Sequence, residues 1–256
     1  MVPDRDGDLR TLPQLILLRH GEVASHRGDV PLTRVGRAQA ERAGRLIARL
    51  GALRVRLLVS PTLRAQQTGL SMLHGLTSAQ ASIEVTGPTV DSALRNPDLY
   101  LAGHRVDMVS SAAAFAEQVP RATEAQVTSI AFYSGFLTSA DRIGYWLNHA
   151  DPPGDNAATV AARIREFAAS LARDQGARAS PGRDGGADLV VGITQSPVLR
   201  AVGSQFAGAD PGEPDHLGGF RIRIRGDGSL APQSVNYADA MRPVSSPGAG
   251  GRQCSR

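Results

Sequence analysis

Leu15-Ile16-Leu17-Leu18-Arg19-His20-Gly21-Glu22 runs four aliphatic residues straight into an arginine, a histidine, a glycine and an acid. A short apolar run that stops abruptly at charged residues reads as a buried strand ending at a polar site. Two other runs share the form, VRLLV at 55–59 before Ser60-Pro61 and LVVGI at 189–193 before Thr194-Gln195-Ser196-Pro197. Serine at an N-cap with proline in the first turn starts helices, so both Ser-Pro pairs are expected to open one. From Thr33 to Leu50, Ala38, Ala40, Ala43, Leu46, Ile47 and Leu50 recur between arginines and a glutamate, the pattern of an amphipathic helix. Strands alternating with helices predict an α/β fold with a mostly parallel central sheet flanked by helices on both faces.

In open sheets of this kind, ligands bind beyond the carboxyl ends of the strands, where helix N-termini offer free amides to anions. The three strand ends carry Arg19-His20-Gly21-Glu22, Ser60-Pro61 leading to Arg64, and Thr194-Gln195-Ser196. Two arginines, a histidine and two helix starts therefore converge, and a phosphoryl group is the natural guest. All 28 basic residues are arginine. Without lysine there is no Schiff base, no covalently held pyridoxal phosphate and no Walker A loop. Guanidinium, which binds oxyanions bidentately, must do the charge work, although a GC-rich genome explains the bias equally well.

The 256 residues, 41% hydrophobic, suffice for one domain over 13–240. Residues 1–12 and 241–256 read as disordered termini, and 175–187 as a mobile loop. The segment 91–155 holds Phe115, Phe132, Tyr133, Phe136, Tyr145 and Trp146 and is expected to be a helical cap insertion over the strand C-terminal ends. Most of these aromatics should pack the cap onto the sheet. With aromatics at 4% and a net charge of +4 spread thinly, stacking platforms and basic arms for nucleic acid are not expected. RIRIR at 221–225 is read as a solvated edge strand with Ile222 and Ile224 toward the core. Cys254 is the single cysteine, which excludes a disulfide framework or a cysteine metal site. The start MVPDRDGDLR has no apolar targeting core and no run of about 18 apolar residues occurs, so a cytoplasmic location without membrane contact is expected.

The blocks LLRHGE at 17–22, GDVPLTRVGRAQA at 28–40, SPTLRAQQT at 60–68 and VVGITQSPVLRA at 190–201 resemble the histidine phosphatase superfamily, also called phosphoglycerate mutase-like. The resemblance implies a phosphatase that hydrolyses a small phosphorylated metabolite, without metal or cofactor. His20 matches the nucleophile that becomes a phosphohistidine, and Arg19 and Arg64 match phosphate-binding arginines that stabilise transition-state charge. Gly21 would let the backbone approach the ligand, and Ser196 would contact substrate at its helix start. His26 stands where relatives often have asparagine, as a phosphate contact or an exposed loop residue.

Two positions depart from the family pattern. Gln195 stands where relatives carry a second histidine; its amide can donate a hydrogen bond to a phosphoryl oxygen but cannot carry charge. The usual proton-donating glutamate, two places after a leucine, is replaced by Asn96, which follows Leu94-Arg95. Asp98 is the favoured substitute acid and Asp91 the alternative, while a turn role after Pro97 is the plain reading of Asp98. An attenuated phosphatase and a protein that only binds a phosphorylated ligand both fit these features, with a mutase a third reading. A small phosphorylated molecule is the expected partner, and a homodimer is admissible.

Overall fold

The computed structural model describes residues 14–25, 28–79, 83–178, 188–225 and 228–238, with backbone alone for 175–178 and 188. In chain order the elements are β1 (Gln14–Arg19), α1 (Arg34–Ala48), β2 (Arg54–Val59), α2 (Leu63–Ala79), β3 (Glu84–Val90) and a hairpin of β4 (Leu99–Leu101) and β5 (His104–Val106). Then come α3 (Ala112–Ala116), α4 (Glu124–Ser129), α5 (Ala131–Thr138), α6 (Arg142–Leu147) and α7 (Ala157–Arg178). The chain continues through β6 (Asp188–Thr194), α8 (Ser196–Val202), a π-helical turn at Gly203–Ala207, β7 (Gly218–Ile224) and β8 (Leu230–Asn236).

The main sheet has the order β3-β2-β6-β1-β7-β8. β1, β2, β3 and β6 are parallel, and β7 and β8 are antiparallel additions. β1 lies inside this sheet with residues 15–19 all buried, which is why its sequence is continuously apolar rather than alternating. Its side chains still divide by pleat. Ile16 and Leu18 pack with Ala43 and Ile47 of α1 and Met72 and Leu76 of α2. Leu15 and Leu17 pack on the other face with Val160, Ile164 and Phe167 of α7, Val198 of α8 and the residues between β3 and α7. Each such aliphatic side chain contributes roughly 1.5–3 kcal/mol on burial. The expected α/β fold is the one observed.

The segment between β3 and α7 folds into the β4–β5 hairpin and helices α3 to α6. Phe115, Tyr133, Phe136 and Trp146 are fully buried in the cluster that includes Leu15 and Leu17, so the aromatics fasten this segment to the sheet. Tyr133 donates its hydroxyl to Tyr100 O at 2.8 Å, and Trp146 donates its indole N–H to Asp155 O at 2.8 Å.

Several local readings change. The RIRIR strand, β7, is not an edge: it lies between β1 and β8, although Ile222 and Ile224 do face the core. α2 starts at Leu63 rather than after Ser60, because the Asp29 carboxylate, from a distant loop, accepts the Leu63 N–H at 2.8 and 2.9 Å. α8 takes Gln195 as its extended N-cap residue, which moves Ser196 into the first turn. α7 runs to Arg178, into the stretch expected to be a loop; 179–187 and both termini lie outside the described residues. No helix among the described residues is long and apolar enough to cross a membrane.

Candidate active site

The parallel register sets the ends of β1, β2 and β6 level: Arg19 pairs with Thr194, and Val59 with Ile193. Just beyond, the His20 N–H donates to Thr194 O at 3.1 Å and the Ser60 N–H to Ile193 O at 2.9 Å. A cavity of about 460 Å³ opens over these ends. Its floor holds Arg19, His20, Arg64, Asn96, Gln195 and Ser196, and its opposite wall is largely apolar, with Met108, Val109, Phe136, Ala140 and Ile143 beside Asp141 and Arg142.

His20 is 3% exposed, and its Nδ1 lies 2.7 Å from Gly21 O. A carbonyl can only accept, so Nδ1 carries the hydrogen and Nε2 keeps its lone pair. Burial, opposed by the Gly21 bond and reinforced by Arg64 and Arg19, lowers the imidazole pKa to about 2. The ring is therefore neutral at physiological pH and nucleophilic at Nε2.

Arg19 and Arg64 are both largely buried at the cavity floor. Arg19 reaches Glu213 at 2.9 Å and Pro214 O at 2.6 Å, while Arg64 reaches Asp29 and Gly28 O only at 3.4 Å. Burial lowers both guanidinium pKa values, partly offset by these carboxylates. In each arginine Nε is buried without a hydrogen-bond partner. Both arginines line the cavity floor, where their fixed positive charge favours an oxyanion.

Gly21 is required by packing. A Cβ there would stand 2.6 Å from Gly36 O, and one on Gly36 would stand 2.3 Å from Glu22 O, so two glycines let α1 press against the end of β1. The Gly21 N–H donates to Thr68 Oγ1 at 3.0 Å, and Glu22 accepts from Thr33 Oγ1, the α1 N-cap, at 2.8 Å. His26 lies outside the described residues.

Gln195 reaches the site, but its amide nitrogen is committed. Nε2 donates to Ser60 Oγ and, at 3.0 Å, to Thr62 Oγ1, so the expected donation to a phosphoryl oxygen is not available in this state. Ser196 reaches the cavity and donates its hydroxyl to Glu213.

The two acid candidates are not brought to the cavity. Asp98 sits at the start of the β4–β5 hairpin, where Arg95 donates to it at 2.7 and 2.9 Å and Arg105 also donates. Burial pushes its carboxyl up, but these bonds outweigh burial and hold it below the usual range. An ionised carboxylate between two arginines has no proton to give, and sequence spacing could not reveal those partners. Asp91 caps the turn at Ser92–Leu94 by accepting the Ala93 N–H at 2.9 Å. The residue in place is Asn96, 5% exposed, held by Thr194 Oγ1 on Leu94 O at 2.7 Å and Arg163 on Arg95 O at 2.8 Å.

Glu213, Asp141 and Arg200 were not anticipated from sequence. Arg200 is 2% exposed; it takes both oxygens of Asp141 at 2.6 Å and is shared with Asp210. Led by those Arg200 bonds, the Asp141 carboxyl pKa is lowered to about 2. Only the acid-rich stretch Asp210-Pro-Gly-Glu213-Pro-Asp215 hinted at such partners. Among the described residues no three His, Cys, Asp or Glu side chains stand together to hold a metal.

No curated protein matches the chain. Several solved structures do. A complex of mycobacterial glucosyl-3-phosphoglycerate phosphatase with VO3 aligns with a TM-score of 0.54 at 18% identity, over 87% of this chain and 98% of that one. Bacillus stearothermophilus YhfR aligns at 0.53 and 18%, over 88% and 99%. Phosphoglycerate mutase from Bacillus anthracis aligns at 0.53 and 12%, over 90% and 96%. Residues 15–85, which hold β1, His20 and Arg64, match the model of the histidine phosphatase superfamily (branch 1), and the chain as a whole has the fold of those phosphatase and mutase structures.

Proposed function

We propose that the protein is a phosphatase that hydrolyses a small phosphorylated molecule through a phosphohistidine at His20. One observation carries this reading: a neutral imidazole, with Nδ1 tied to Gly21 O, lines the same cavity as two largely buried arginines. Nε2 attacks phosphorus, the leaving group departs, and water releases phosphate from the ring. Arg19 and Arg64 meet the charge on the equatorial oxygens. That a structure of the same fold is a complex with VO3, an oxyanion, supports a phosphoryl guest for this one.

Phosphate release in the presence of EDTA that disappears in His20→Ala, with a phosphorylated His20 by mass spectrometry, is the expected result. If no ester in a broad panel yields phosphate or labels His20, the enzymatic reading is lost.

A binding protein with little turnover is the second reading, favoured by the committed Gln195 amide and by Glu213 already seated on Arg19. It requires tight phosphate binding without turnover, and turnover that appears in Gln195→His.

A further inference from the structure

Breaking the phosphorus–oxygen bond sends an electron pair onto the leaving oxygen, and an alkoxide accepts it only if a proton arrives. Among the described residues, two carboxylates line the cavity, Asp141 and Glu213. Asp141 gives both oxygens to Arg200 and also accepts the Gly144 N–H at 2.9 Å. Glu213 has one oxygen on Arg19 and the other on the Ser196 hydroxyl. Both carboxyls thus have each oxygen already taken up by a donor of the protein, and neither is turned free toward a leaving group.

At the floor stands Asn96, 95% buried, with Oδ1 lacking any hydrogen-bond partner. An amide at this point can hydrogen-bond a ligand but cannot protonate it. Arg142, also lining the cavity, adds positive charge but is no proton donor to a leaving oxygen. The wall around it, with Met108, Phe136 and Ile143, suits an apolar body.

We propose that the substrates are aryl or acyl phosphates, whose apolar leaving group departs as a stable phenolate or carboxylate, rather than alkyl phosphate monoesters. This rests on the phosphatase reading above. In the first step the Nε2 lone pair of His20 forms the N–P bond as the P–O bond breaks, and that bonding pair leaves on the aryl or acyl oxygen without a proton. Nδ1 keeps its hydrogen on Gly21 O. In the second step water forms the new P–O bond, the N–P pair returns to Nε2, and the surplus proton of water leaves with phosphate or to solvent.

The test is kcat/KM for benzoyl phosphate, a series of substituted phenyl phosphates and glycerol phosphate, in the wild type and in Asn96→Glu and Asn96→Asp. Acid assistance contributes about 10²- to 10⁴-fold. The wild-type rate should therefore fall steeply as the phenol becomes less acidic, with glycerol phosphate at least about 100-fold below 4-nitrophenyl phosphate. Either Asn96 variant should flatten the series and raise glycerol phosphate turnover. Wild-type rates for glycerol and 4-nitrophenyl phosphate within a few-fold, with phosphorylated His20 present, would overturn this proposal alone. Failure to label His20 with any phosphate compound would remove the phosphatase reading and this one with it.

Discussion

Arg19 and Arg64 share a task but not a setting. Arg19 is already paired with Glu213 at 2.9 Å, whereas Arg64 has only 3.4 Å contacts from Asp29 and Gly28. Arg64 is thus the freer charge for an incoming anion. Arg64→Ala should lower kcat/KM by about 30- to 1,000-fold, the 2–4 kcal/mol typical of a lost transition-state contact. Substitution of the exposed Arg37 should leave it unchanged, and steady-state kinetics on both variants checks the contrast. Glu213 occupies Arg19 with an internal anion, and at 50% exposure the pair is worth about 0–1 kcal/mol. Glu213→Gln should therefore tighten inorganic phosphate binding by up to about five-fold in calorimetric titration. Weaker binding would mean that Glu213 orients Arg19 rather than competes for it.

At the scale of elements, the strand ends and α1 were legible because their cause is local. Continuous apolar runs mark buried strands, and Thr33 caps α1 by accepting the Gly36 N–H at 2.9 Å. The start of α2 was not legible, since its cap is Asp29, 34 residues away. β3, with the sequence EVTGPTV, was missed as well; it is an exposed edge held by the ladder to β2, so nothing required it to be apolar. The least predictable joint is that between α8 and α6, where Arg200 clamps Asp141, the N-cap of α6. Arg200 is buried but the Asp141 side chain is 59% exposed, so removing the arginine leaves no buried carboxylate behind; what is lost is its packing and its charge-assisted hydrogen bonds, about 1–3 kcal/mol. Arg200→Ala should lose stability on that scale by urea unfolding, and a loss below about 0.5 kcal/mol would show that water replaces the clamp.

For the whole molecule, burial of the site couples folding to pH. The His20 pKa is lowered from 6.5 to about 2, so between those values the unfolded chain binds a proton that the native chain refuses. Stability then rises with pH through this window and is lost as pH falls. Asp141, also lowered to about 2, acts in the same direction: its contribution is present above its unfolded value of 3.8 and fades below it. Urea midpoints of the phosphate-free protein should therefore drop between pH 7 and pH 5, and less so in His20→Asn. An equal drop in the variant would place the acid sensitivity elsewhere.

The sequence by itself determined which chemistry the strand ends present, because a buried strand needs an apolar run and His20, Arg19 and Arg64 follow directly from where those runs stop. It also showed that Gln195 and Asn96 carry amides. Only the tertiary structure decided what those groups face. Whether a carboxylate is a proton donor or the locked partner of an arginine depends on contacts made in space: Asp98 is held by Arg95 and Arg105, three and seven residues away, Asp141 by Arg200, 59 residues away, and Glu213 by Arg19 near the other end of the chain. Charge and burial act through space, and the order of residues along the chain does not carry those distances.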